Sequence, residues 1–110
     1  MVQSKTELFK SELTENANYF KALSHPARLQ ILQFLAESKS CITGDISDEL
    51  PLGRTTVNQH IKELKAIGLI IGHTEGAKTK YCLNPTKVNE LKQSVIALLD
   101  SIETLDYKCE

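Results

Sequence analysis

At 110 residues the chain is long enough for one domain with a modest core and too short for two. Hydrophobic residues make up 41% and charged residues 25%, an ordinary soluble globular composition; no N-terminal signal pattern or apolar run of spanning length is present, so a cytoplasmic location and no membrane partner are expected. The formal net charge of -1 by itself argues against nucleic acid, yet residues 54–82 hold five cations (Arg54, Lys62, Lys65, Lys78, Lys80) against Glu63 and Glu75, a small local excess that implies a few phosphate contacts and not a polyelectrolyte binder.

The first segment, SKTE at residues 4–7, fits a capping box for a helix on which Phe9, Leu13, Ala17 and Phe20 recur at spacings of four, four and three. One face of this helix is therefore expected to be buried. TEN at residues 14–16 can restart the chain, so one or two helices fit before Leu23. Ser24-His25-Pro26 then punctuates it: Ser24 can cap, and Pro26 fits only the first turn of the next helix. That helix carries Leu29, Ile31, Leu32, Phe34 and Leu35, apolar over most of its circumference, and is expected at the centre of the core. A short polar link follows, with room for a short strand at Cys41 and Ile42.

Residues 43–68, TGDISDELPLGRTTVNQHIKELKAIG, read as helix, tight turn, helix. Thr43 can cap a first helix bearing Ile46 and Leu50, Pro51-Leu52-Gly53 breaks it, and Arg54 opens a second helix that stops at Gly68. At about 100° per residue, Val57, Ile61 and Leu64 fall on one side of the second helix, and Thr55, Gln59 and Lys62 lie opposite. Arg54, Asn58 and Lys65 take one shoulder and Thr56 the other. An apolar back, amides and hydroxyls able to read base edges, and cations near phosphates are what a major-groove helix needs. His60 projects beside the apolar stripe, where packing and DNA contact stand equally open.

After Gly68 the pattern alternates. LIIGHT and KTKYCLN, separated by Glu75-Gly76-Ala77, predict a β-hairpin wing with Lys78 and Lys80 near its tip and His73 and Thr74 close by. Asn84-Pro85 caps a last helix expected to run to about Leu105. Its Val88, Leu91, Val95, Leu98, Ile102 and Leu105 form a heptad seam widened by Ile96 and Leu99. Such a seam packs either on its own domain or on a second copy; lying beyond a domain already closed by its wing, it points to dimerisation.

The expected fold is mainly α with a small β-hairpin: a winged helix-turn-helix dimerising through its terminal helices. Its parts are residues 1–23 (N-terminal dimerisation helix), 24–68 (core helix and helix-turn-helix), 69–83 (wing) and 84–110 (C-terminal dimerisation helix).

The order of parts, together with KALSHPARLQILQFL, GDISDELPLGRTTVNQHIKELKAIGLI and the hairpin ending in KYCLN, resembles the arsenical-resistance repressor (ArsR-type) family of bacterial winged-helix regulators. The resemblance implies a homodimer built by the first and last helices, operator binding through two recognition helices, and derepression by an inducer. It puts the DNA-reading segment on Arg54, Thr55, Thr56, Asn58, Gln59 and His60. Gly53 departs from the serine common there; glycine still caps, but a hydroxyl contact to phosphate is lost. The family's metal sites do not carry over. The CVC-type cysteine positions fall on Ile42 and Gly44, with Cys41 one residue earlier, and the last helix offers Glu90, Asp100 and Glu103 without histidine. No metal or cofactor is expected, and the inducer stays unknown.

Three cysteines, Cys41, Cys82 and Cys109, with no CxxC or nearby Cys/His pairing, argue against a disulfide scaffold or structural zinc and are expected to begin as free thiols. Some relatives sense oxidants or sulfide species through one cysteine near the second helix and one in the last. Cys41 with Cys109 resembles that arrangement in outline, while Cys82 alternates with Tyr81 and Leu83 on the wing strand; unreactive cysteines are the plain alternative. The sequence thus predicts a DNA-binding regulator, a homodimeric repressor released by an inducer or by thiol modification. The alternative is a winged-helix protein–protein module without DNA binding. An enzyme is not expected: His25, His60 and His73 are dispersed, and no nucleophile has an evident base beside it.

Overall fold

The computed structural model describes residues 8–43, 46–76 and 78–109. Four helices and a three-stranded sheet follow in the order α1 (Ser11–Leu23), α2 (Pro26–Ser38), β1 (Ile42–Thr43), a 3-10 turn (Ile46–Glu49), α3 (Arg54–Ala66), β2 (Ile70–Glu75), β3 (Lys78–Leu83) and α4 (Pro85–Ile102). The capping box expected at residues 4–7 lies outside the described residues. α1 runs unbroken through Thr14.

Local chemistry explains most boundaries. Pro26 occupies the first turn of α2, where its missing N–H costs nothing, but the capping acceptor is His25 and not Ser24. Nδ1 of His25 accepts from the Ala27 amide at 3.0 Å, while Ser24 Oγ donates back to the Lys21 carbonyl. α3 ends in a Schellman motif: the Gly68 amide donates to the Lys65 carbonyl and the Leu69 amide to the Leu64 carbonyl, with Gly68 at φ +83°. That left-handed residue ends α3 and turns the chain into β2. Gly76, at φ +62°, serves the hairpin tip in the same way. Asn84 Oδ1 accepts from the Lys87 amide and caps α4 ahead of Pro85.

The sheet order is β1-β3-β2, all antiparallel, with Ile42 opposite Tyr81, Thr43 opposite Lys80, and Ile70 opposite Leu83. The wing is thus a hairpin extended by one short strand. Thr43, expected as a helix cap, sits in that strand, and the first helix of the helix-turn-helix is reduced to a four-residue 3-10 turn. It still delivers Ile46 and Leu50 to the core, beside Ile31 and Leu35 of α2, Val57, Ile61 and Leu64 of α3, and Leu69 and Ile70. Burying this set supplies the main stabilising term.

The terminal helices behave differently. On α1 the buried side chains are Tyr19 and Ala22, whereas Phe9, Leu13 and Phe20, expected on its buried face, are exposed. α4 has 18 residues and not one buried side chain; Ile96, Leu99 and Ile102 stand open, and the helix stops at Ile102, leaving Leu105 beyond it. The expected end at Leu105 is thus one turn too long. Among the described residues, no helix is long and apolar enough to cross a membrane.

Candidate nucleic-acid interface

α3 is divided along its length. Val57, His60, Ile61 and Leu64 are buried, while Arg54, Thr55, Thr56, Asn58, Gln59, Lys62 and Lys65 are exposed. The division arises from the 3.6-residue repeat: the apolar stripe fixes α3 against α2, the 3-10 turn and β2, and the polar residues are left outside. Thirteen residues rise about 20 Å, enough to lie along a major groove. On the outer face Gln59 Nε2 donates to Glu63 Oε1 at 3.2 Å, so part of its amide is already engaged. No side chain caps the start of α3 at Gly53.

Of the two roles left open for His60 beside the apolar stripe, packing holds, and the DNA contact that the family resemblance implied does not. His60 is 8% exposed, its ring lies 4.3 Å from that of His25, and its Nδ1 accepts from Nε of Arg28 at 3.0 Å. A buried, hydrogen-bonded imidazole cannot reach a base edge without leaving the core. Burial, and then the neighbouring His25 and Arg28, hold its pKa below the ordinary histidine value.

On the wing, side chains alternate between faces. Tyr81 and Leu83 pack against the core, which puts Lys78, Lys80 and Cys82 on the other face of β3. The same alternation places His73 of β2, opposite Lys80, on that outer face. The wing cations and the exposed side of α3 are therefore presented by elements that pack on each other. This can hold a polyanion in two ways, through a groove-sized helix and through flanking charge.

The cysteines do not match their expected state. Cys41 and Cys82 form a disulfide with Cα atoms 4.4 Å apart, and Cys109 is the free, exposed thiol. The reason is register: Ile42 pairs with Tyr81, so the next positions outward on the two antiparallel strands face each other. The outlined pairing of Cys41 with Cys109 is therefore replaced by one with Cys82. Among the described residues there is no group of three or more His, Cys, Asp or Glu side chains able to hold a metal ion.

The sequence model of a family described as a helix-turn-helix domain matches residues 23–73. An uncharacterized HTH-type transcriptional regulator of Methanocaldococcus jannaschii is 35% identical over 86 residues, covering 78% of this chain and 92% of the relative. Transcriptional repressor SdpR of Bacillus subtilis is 32% identical over 73 residues, covering 66% and 80%. Among solved structures, the homodimeric winged helix-turn-helix DNA-binding domain of a possible ArsR-family regulator from Mycobacterium bovis is 25% identical. It superposes with a TM-score of 0.61 over 100% of this chain and 99% of its own.

Proposed function

The chain belongs to the ArsR-type family of winged helix-turn-helix transcriptional regulators, and from that membership we propose that it acts as a homodimeric repressor that reads operator DNA with α3 and grips the backbone with its wing. The observation that carries this reading is the division of α3, with an exposed row of hydroxyl, amide and cationic side chains on a helix whose back is fully buried. Thr55, Gln59 and Lys62 face outward as the readers, flanked by Arg54, Thr56 and Asn58. Lys78 and Lys80 supply sequence-independent phosphate contacts.

The two roles separate by substitution. Gln59→Ala lowers affinity for the preferred duplex by about 1 to 3 kcal/mol and relaxes specificity at one position. Lys78→Ala weakens all duplexes alike and reduces the salt slope by about one. Fluorescence anisotropy across a salt series checks both. Unchanged affinity in Gln59→Ala and Thr55→Ala together removes the assigned reading face, and a salt-insensitive wild type that retains a protein partner supports the interaction-module alternative.

Release follows from an inducer or from thiol chemistry, and the Cys41–Cys82 pair supports the thiol route. Residues 41–82 form a covalent ring that encloses β1, the 3-10 turn, α3, β2 and β3, the whole reading unit. A dithiol reductant transfers two electrons and two protons to the bond, giving two thiols and the oxidised reductant. Opening the ring costs about 4 kcal/mol of stability on a chain-entropy basis and leaves β1 held to β3 through two residue pairs. Reduced and oxidised protein are expected to differ in unfolding midpoint and in DNA affinity; equal affinity discards the thiol route and leaves the inducer.

A further inference from the structure

We infer that Arg28 positions the recognition helix through His60, and that this clasp holds only while His60 is neutral, so that sequence-specific DNA binding weakens on acidification. The inference rests on the DNA-binding reading above and concerns residues which that reading does not use.

Arg28 lies on α2 and reaches two other helices. Its Nε donates to Nδ1 of His60 on α3 at 3.0 Å, and its Nη1 donates to the carbonyl of Ala22 on α1 at 3.1 Å. One planar guanidinium thus ties the N-terminal helix to the reading helix. His60 follows Gln59 directly, so whatever anchors His60 fixes the angle at which Gln59 leaves the helix.

The bond also fixes a proton. A guanidinium only donates, so Nδ1 of His60 must keep its lone pair and the imidazole proton must sit on Nε2. That nitrogen is buried and has no hydrogen-bond partner among the described residues. His25 is constrained likewise, because its Nδ1 accepts from the Ala27 amide. A second proton on His60 would set N–H against N–H at Arg28 and place positive charge beside a guanidinium and against the His25 ring.

Among the described residues the charged surroundings offer little relief. From α2 come His25 and Arg28; from α1, Lys21 shares a groove with Arg28 and with Glu63, which is one turn beyond His60 on α3. Glu63 is engaged by Gln59. The described side chains that the 3-10 turn, the residue after it and β2 bring to the same cluster are the apolar Ile46, Leu50 and Ile70. Since the folded state holds His60 below its ordinary value of 6.5, the unfolded chain binds more protons in that range. The stability this difference supplies is fully present above the ordinary value, and the clasp itself is lost only as pH falls through the lowered value that His60 has in the fold. General electrostatics runs the opposite way, because protonated histidines strengthen non-specific DNA binding.

The test uses the full chain, a duplex selected by it from a random pool at about pH 8, and a scrambled duplex, with binding followed downward in pH until imidazole NMR shows His60 protonated. For wild type the preference for the selected duplex falls by about fivefold or more on acidification. His60→Asn places a non-titrating Oδ1 near the Nδ1 position, keeps the preference at the upper pH and flattens the profile. Arg28→Lys, which keeps the charge but loses the fork, lowers the preference already at the upper pH. A wild type that keeps its preference at a pH where imidazole NMR shows His60 protonated, or a His60→Asn protein with the same acid loss as wild type, overturns the clasp. If no duplex is preferred at any pH, the DNA reading fails by itself. The clasp is then judged by imidazole NMR titration of the free protein, where an ordinary pKa for His60 overturns it and a lowered one that rises in Arg28→Lys upholds it.

Discussion

Leu99→Asp is expected to convert the protein to a monomer and to reduce its affinity for a two-half-site duplex by about a hundredfold or more. The 18 residues of α4 bury no side chain, although Val95, Ile96, Leu98, Leu99 and Ile102 share its apolar side. Leu99 is 53% exposed and Ile102 is 65% exposed, and Leu13 and Phe20 on α1, with Phe9 just before it, add open apolar surface. A second copy covers such a surface by packing like on like. An aspartate inside that seam would be a buried, unpaired charge, which is costly enough to separate the copies. Because Leu99 contributes little to the chain's own core, the variant stays folded. Sedimentation equilibrium reads the mass directly, and a variant that remains dimeric with full affinity would remove α4 from the interface.

Leu64→Ala is the complementary case and is expected to cost about 3 to 5 kcal/mol of folding stability. Leu64 is fully buried on the back of α3, in one cluster with Val57, Ile61, Ile31 and Leu69. Removing its methyl groups leaves a cavity that the surrounding helices and strands close only in part. For a domain of this size that is a large share of the total stability. Urea unfolding measures it, with Gln59→Ala as the comparison on the same helix, expected within about 0.5 kcal/mol of wild type. A near-neutral Leu64→Ala would mean that α3 is not anchored where the packing places it.

Much of this architecture was legible in the sequence because it depends on local signals. Pro26, Gly68, Gly76 and Asn84-Pro85 each set a boundary by backbone chemistry that acts within a few residues. The buried stripe of α3 followed from its period. What local signals do not carry is pairing over distance. The meeting of Cys41 with Cys82 depends on β1 joining β3, a register set 41 residues apart. Arg28 and His60 meet only because α2 crosses α3. Nothing near position 28 names position 60 as its acceptor, although His60 lay close enough to the apolar stripe for packing to be foreseen. The first helix of the helix-turn-helix was read at full length because Ile46 and Leu50 fit a helical spacing. A single 3-10 turn meets the same burial requirement with fewer residues.

The open apolar sides of α1 and α4 show a further limit of periodicity. A heptad seam says that a face must be covered without saying by what, and the described residues leave Ile96, Leu99 and Ile102 open. On the proposed reading a second copy covers that face. Two copies then present two α3 helices related by a twofold axis, which translates directly into the symmetry of the DNA they prefer.

The most direct measurement is therefore selection of duplexes from a random-sequence pool by the purified protein, followed by salt-dependent binding of the enriched sequence. The account predicts an inverted repeat with half-sites about one helical turn apart, or a multiple of it, and affinity that falls steeply with salt. Enrichment of no sequence, or of a single unrepeated site bound equally well by a Leu99→Asp monomer, would contradict it.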